Sequence, residues 1–426
     1  MRFTLGGLKL AASAITVVCV ASAVTAQAAV TEAPIFTFPS GAGGIAADGA
    51  EADGDFVVSG GLFYGIALEG GKSALGCSSG CGTAFSVSPG GTFNLLHVFG
   101  AKGKDGLMPS AGMILDKKTF YGVTEFGGNV NCGAGSGNGC GTVFSMTAGG
   151  KEKVIYAFNG EENDGTDGIE PSSPLLDVDG TLYGVTAPGG SGCDTAGCGT
   201  FFSIAPDGTE KVLYTFKGGF DGANPSGHLI QVGKLIYGET LTGGGSGCNG
   251  EGCGTVFSIS TNGAENVVYG FQGGKDGETP NRGLLQVGKV MYGTTFNGGG
   301  SGCTGNIGCG TIFSLTTKGK ETVLHSFVGT DGAHPRAGLL NASGTLYSTT
   351  EFGGLLSSCN KTGCGSVYSI QPDGSRFATI YNFAGGTDGC FPTGLLTNLS
   401  GAFYGSTAQC GDASANAGTI FKLTVN

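Results

Sequence analysis

Apolar residues come along this chain in runs of four to seven, rich in Val, Ile, Tyr, Phe and Thr and bounded by Gly, Asn or Asp. Such runs read as short strands. Past the first thirty residues, no segment sustains the period of an amphipathic helix. The stretch from Asp221 to Gly274 shows the plan. Asp221 to Pro225 is a turn, and strands are predicted over 227–232, 235–240, 254–260 and 266–271. A glycine-rich loop, 243–252, separates the second strand from the third, and Asn262-Gly263 is a hairpin signal between the third and fourth.

This unit recurs seven times. An Asp-Gly turn is followed sixteen residues later by a tyrosine at Asp48/Tyr64, Asp105/Tyr121, Asp167/Tyr183, Asp221/Tyr237, Asp276/Tyr292, Asp331/Tyr347 and Asp388/Tyr404. Four residues after the Asp stands a proline in six copies (Pro109, Pro171, Pro225, Pro280, Pro335, Pro392) and Ala52 in the first. A fixed spacing at this period marks one supersecondary unit in tandem. Four strands per unit predict an all-β fold, a seven-bladed β-propeller of four-stranded blades. Residues 35–38 match the fourth strand of the unit, and residues 418–423, at the other end, match the third. The N-terminal strand is therefore expected to complete the last blade and close the ring. A linear β-solenoid is the alternative, but it has shorter coils and no need of split end repeats.

Composition adds a compartment. Arg2 and Lys9 precede a small apolar run, and Ala26-Gln27-Ala28 is a cleavage signal. Residues 1–28 are expected to be a signal peptide and 29–426 a single propeller domain, secreted or periplasmic. The run is short for a membrane span, and no second one follows. The signal holds two basic and no acidic residues, so its removal takes the net charge from −11 to −13. An acidic chain without Lys/Arg clusters is a poor partner for nucleic acid or anionic membranes. Of 15 cysteines, 14 lie beyond the signal. Six close pairs are evident: Cys77/Cys81, Cys132/Cys140, Cys193/Cys198, Cys248/Cys253, Cys303/Cys309 and Cys359/Cys364. The two left over, Cys390 and Cys410, are expected to bond each other. Two cysteines per repeat with no histidine nearby do not make a zinc site, so disulfides are the reading.

The repeat resembles the GloVer repeat proteins, an exported bacterial family. The resemblance rests on Leu182-Tyr-Gly-Val-Thr186 with Gly189-Gly190, on Gly254-Thr-Val-Phe257 and on Asp276-Gly-Glu-Thr-Pro280, and covers nearly all of the chain after the signal. It implies an exported bacterial repeat protein and carries over no catalytic residue. Many relatives have a C-terminal sorting signal; this sequence reaches Asn426 directly after a strand pattern, so no such anchor is expected.

Strand alternation puts the disulfide loops and the Asp-Gly-x-x-Pro turns on one face, and a binding site is expected there, near the channel. The seven turn aspartates (Asp48, Asp105, Asp167, Asp221, Asp276, Asp331, Asp388) could ring a cation, but their identical spacing favours a structural role in each turn. Ligand contacts are expected where the copies differ, just past the proline: Ser110, Ser172, His228, Asn281, Arg282 and Arg336. His228, Arg282 and Arg336, on neighbouring blades, suggest a cationic sector for an anionic group. His97 and His325 fall where other copies have Tyr and read as packing substitutes. No nucleophile elbow, phosphate loop or spaced metal motif is present, so no cofactor, metal or catalytic residue is expected. Trp is absent, which leaves Tyr and Phe for sugar stacking. The expectation is a monomeric binding or surface-interaction module whose partner is an extracellular glycan or protein. The alternatives are a polysaccharide hydrolase or lyase using channel-mouth carboxylates, and a structural matrix component.

Overall fold

The computed structural model describes residues 30–425 except 40–45, 72–76, 101–103, 130–137, 161–166, 191–192, 194–196, 301–302, 304–306 and 412–415. The expected signal peptide lies outside the described residues. Seven mainly four-stranded antiparallel sheets ring an axis as the blades of a propeller. Blade one runs Ala50–Ser59, Leu62–Glu69, Thr83–Val87, Phe93–Val98, from the channel outwards. Blade four runs Ala223–Val232, Leu235–Thr242, Thr255–Ser260, Glu265–Gly270 in the same order. In blade seven, Val30–Thr37 pairs antiparallel with Thr419–Val425 as the outermost strand, so the two ends of the chain close the ring.

The inner strand is longer and less regular than its sequence pattern. In blade four it starts at Ala223, inside the turn, and its register slips between Ser226 and Ile230. In blade five it is split into Glu278–Pro280 and Leu285–Val287. The slip coincides with left-handed residues past the proline, Gly227 at φ 79° in blade four and Arg282 and Gly283 at φ 80° and 83° in blade five. The residue before the proline, or before Ala52 in blade one, is also left-handed in all seven blades, and it is never glycine: Glu51, Met108, Glu170, Asn224, Thr279, His334 and Phe391, with φ from 53° to 59°. That conformation is costly for such side chains. It turns each N–H onto a carbonyl of the preceding blade, as Asn224 N–H does to Cys198 O at 2.9 Å and His334 N–H to Cys309 O at 2.7 Å.

The core lies between blades. At every junction a buried aromatic at the end of one outer strand meets, nearly edge-on, one in the third strand of the next blade. Phe216 meets Phe257 at 5.1 Å and Phe158 meets Phe202 at 5.2 Å, and the ring-closing junction does the same with Phe38 and Phe85 at 5.6 Å. Such pairs contribute about 1 kcal/mol each beyond their burial.

The disulfides Cys77–Cys81, Cys193–Cys198, Cys248–Cys253, Cys303–Cys309, Cys359–Cys364 and Cys390–Cys410 form as the spacing predicts. Cys140 is also disulfide-bonded, and Cys132, its expected partner, lies outside the described residues.

Candidate functional site at the channel mouth

Where the inner strands begin, all seven blades converge on a cavity of about 410 Å³. Ser110, Ser172, His228, Asn281, Arg282 and Arg336 all line it. They serve differently. Ser110 donates to the carbonyl of Pro171 at 3.3 Å, and Ser172 to that of Pro225 at 2.9 Å. Each hydroxyl thus ties its blade to the next, and Thr393 repeats the bond across the ring closure, to Ala52 O at 3.3 Å. Asn281 keeps a buried, unpartnered Oδ1.

The three cations do come together, but each already holds a carboxylate. His228 Nε2 lies 2.7 Å from Asp55 Oδ2, Arg282 Nη1 3.7 Å from Asp53 Oδ2, and Arg336 Nη1 3.0 Å from Glu351 Oε1. The sector is therefore charge-balanced rather than cationic. Asp53 and Asp55 belong to blade one, so two of these pairs span the channel. The sequence carries their signal: with Ala52 in the proline's place, Asp53 aligns with Ser110 and Arg336, and Asp55 aligns with His228.

Backbone packing fixes the pairs. A Cβ on Gly227 would lie 2.5 Å from the Gly283 nitrogen, and one on Gly283 would lie 2.5 Å from the His228 nitrogen. Only glycines let the inner strands of blades four and five touch backbone to backbone. Between them Arg282 sits at φ 80°, a left-handed position that strains an arginine. Beneath, the fully buried Glu239 accepts the Gly283 N–H at 2.9 Å, and its other oxygen has no partner.

Burial and charge divide the carboxyls. Burial and the neighbouring Asp55 push Asp53 up to about 6 against the pull of Arg282. Burial acts on Asp55 too, but His228 outweighs it and holds this carboxyl below its ordinary range. His228, against its own burial, is raised by Asp55. Burial lifts Glu239 to about 8. Burial also raises Glu51, Glu125 and Glu170, helped by Glu69 at Glu51, where Arg336 opposes it, and by Glu170 at Glu125. Glu125 and Glu170 make no ion pair among the described residues.

Outside the cavity's lining, half-buried aromatics of blades five to seven form an arc that the sequence pattern did not single out; two of them, His334 and Phe391, stand two residues before the lining Arg336 and Thr393. Phe296 and His334 have ring centres 4.7 Å apart, His334 and Phe352 5.9 Å, and Phe352 and Phe391 5.1 Å. His334 Nδ1–H donates to the Phe296 carbonyl at 2.9 Å and fixes the first pair.

The turn aspartates lie away from this cavity. Asp221 accepts the Lys217 N–H at 2.7 Å and the Tyr214 hydroxyl at 2.6 Å, and Asp276 repeats the arrangement with Gln272 and Tyr269. His97 and His325 stand in for that tyrosine, 3.2 Å from Asp105 and 3.0 Å from Asp331. His97, Asp105 and Glu152 also bring three donor atoms within 4.8 Å of one another, the spacing a metal ion would need. A cluster of Cys359, Cys390 and Cys410 has the same spacing, but its sulfurs are in disulfides.

The sequence matches the profile of the Gloeobacter/Verrucomicrobia repeat over residues 59–307 and 302–426. The chain belongs to this repeat family. No curated protein matches it in sequence. Among solved structures it is similar to an oligogalacturonate lyase from Vibrio parahaemolyticus, with TM-score 0.52 and 10% identity over 94% of this chain and 99% of that one. A puromycin-hydrolyzing peptidase from Mycobacterium tuberculosis gives TM-score 0.48 and 11% identity over 87% of this chain and 52% of that one. A gluconolactonase from Xanthomonas campestris gives 0.40 and 11% over 76% and 88%. At 10% identity the likeness to the lyase shows the fold alone.

Proposed function

We propose that the protein is an exported recognition module that binds a hydroxyl-rich ligand of the carbohydrate class at the channel mouth. The observation that carries this reading is the unpaired wall of the cavity. Glu125 and Glu170 line it and make no ion pair among the described residues, and burial raises both. A carboxyl accepts from a ligand hydroxyl when ionised and donates to one when protonated. A cavity of about 410 Å³ is in the size range of small-ligand sites. The arc from Phe296 to Phe391, joined to the lining through the strand that carries Phe391 and Thr393, offers rings for stacking. An anionic ligand is less favoured, because His228, Arg282 and Arg336 are already paired. A glycan and polysaccharide array with the oxidised, signal-free protein tests the reading. Binding lost in Glu125→Gln/Glu170→Gln supports it, and binding untouched by that change refutes the site.

One observation favours a second reading, a polysaccharide hydrolase or lyase. Asp53 and Asp55, two residues apart, are driven in opposite directions beside His228, the arrangement that acid–base chemistry uses. Product release from an array hit would select it.

A further inference from the structure

The outer rim carries a second repeated device, independent of the channel. At or near the start of each outer strand stands a residue four positions before an aromatic, and in six copies that aromatic meets the next turn aspartate. These pairs are Glu32/Phe36, Phe93/His97, Glu152/Tyr156, Glu210/Tyr214, Glu265/Tyr269, Glu321/His325 and Phe377/Tyr381. The first member of each pair packs back onto the junction behind it. Glu210 meets Asp167 and Tyr156 there, and Glu265 meets Asp221 and Tyr214, with Lys217 close by. Glu321 meets Asp276 near Tyr269, and Glu32 meets Asp388 and Tyr381.

We propose that at these four junctions the glutamic acid is held neutral and donates its proton to the turn aspartate, so that the ring is tightest in acid and loosens as the pH rises through neutrality.

Three observations support the shared proton. First, Oε1 of Glu32, Glu210, Glu265 and Glu321 is buried in each case and has no hydrogen-bond partner. At Asp167 the Tyr156 hydroxyl and the Asn159 N–H both reach Oδ2, and Oδ1 is likewise buried and unpartnered. A proton between Glu210 and Asp167 satisfies both carboxyls; at Asp221, Asp276 and Asp388, whose two oxygens each already accept one bond, it satisfies the glutamic acid and uses a second lone pair of the aspartate. Two bare carboxylates side by side would repel at every one of these junctions. Second, the chain uses Phe at the same position in two junctions. Phe93 stacks on Phe36 at 4.2 Å and 7°, and Phe377 stacks on His325 at 3.6 Å and 9°. A site that accepts either Phe or Glu suits an uncharged acid, since a buried bare charge has nothing in common with a phenyl ring. Third, burial, reinforced by the neighbouring aspartate, lifts Glu210, Glu265 and Glu321 to about 7 and Glu32 to about 9.

The sign follows from linkage. The native state holds these protons at a pH where the unfolded chain has lost them. The stabilisation is complete below the ordinary carboxyl value of 4.5 and is lost as the pH rises to about 7, with Glu32 extending the loss to about 9. As the proton leaves for solvent, two adjacent carboxylates remain.

The test compares the oxidised protein with its Glu210→Gln/Glu265→Gln/Glu321→Gln variant. Gln is neutral at every pH and keeps an N–H to donate. Tm of the parent should fall between about pH 5 and about pH 9, and the fall should shrink by more than half in the variant. The infrared carbonyl band of protonated carboxyls should be present in the folded parent near neutral pH and reduced in the variant. A parent without that band, or a variant whose Tm falls as steeply as the parent's, overturns the proposal. If the triple variant does not fold, the three single Glu→Gln variants take its place, each expected to remove part of the band, because Glu239, lifted to about 8, contributes a band of its own.

Discussion

His228 Nε2 donates to Asp55 Oδ2 at 2.7 Å across the channel, joining blade four to blade one over a sequence separation of 173 residues. Asp55 is nearly buried, so removing its partner leaves a charge with little solvent. His228→Ala is expected to cost about 3 kcal/mol, and His228→Ala/Asp55→Asn less than the sum of the single changes. Urea unfolding of the four proteins checks this, and strictly additive costs would show that the pair is not a brace.

The same pair has a two-sided pH profile. Asp55 is held below its ordinary value, so its contribution is present above the unfolded carboxyl range and disappears as pH falls through the lowered value. His228 is raised, so its contribution is present below the ordinary imidazole value and disappears as pH rises through the raised one. The brace should therefore be strongest between the two. The stability difference between the parent and Asp55→Asn, followed against pH, should peak in that window and shrink on both sides.

Gly227→Ala places a methyl carbon against the Gly283 nitrogen at a position with φ 79°. Neither clash nor conformation can relax without moving the inner strands. A loss of about 2 kcal/mol or more is expected by thermal denaturation. Gly233→Ala is the control, because nothing lies within 4 Å of its added carbon, although its φ of 66° still imposes some strain.

The disulfides should differ in weight. Cys390–Cys410 closes a separation of 20 residues in the blade that seals the ring, and Cys303–Cys309 one of only 6. Loop-closure entropy gives about 3 kcal/mol for the first and about 2 kcal/mol for the second. Paired Cys→Ser variants should rank in that order in Tm.

The architecture was readable because each blade repeats the same physical need. Asp, Gly, Pro and Tyr recur at fixed offsets, the ends are complementary, and Cys390 and Cys410 were the only cysteines left to pair. The candidate lining was readable for the opposite reason, since Arg282 and His228 break the repeat. Their partners were not. Asp53 and Asp55 align with the lining once Ala52 is set in the proline's place, but nothing in the sequence pairs them with blades four and five, because ion pairs over such separations leave no local pattern. The aromatic arc escaped because Phe296 lies in a second strand and Phe352 just past one, while His334 lies in a turn and Phe391 at the start of an inner strand. Only the ring brings them side by side.

The channel-mouth reading is tested most directly by isothermal titration of the first array ligand into the parent, Glu125→Gln/Glu170→Gln and Phe391→Ala. The account predicts saturable binding to the parent and about tenfold or greater loss in the glutamine variant, with a smaller loss in Phe391→Ala. Unchanged affinity in the glutamine variant, with the fold intact, would contradict it and move the site away from the channel mouth.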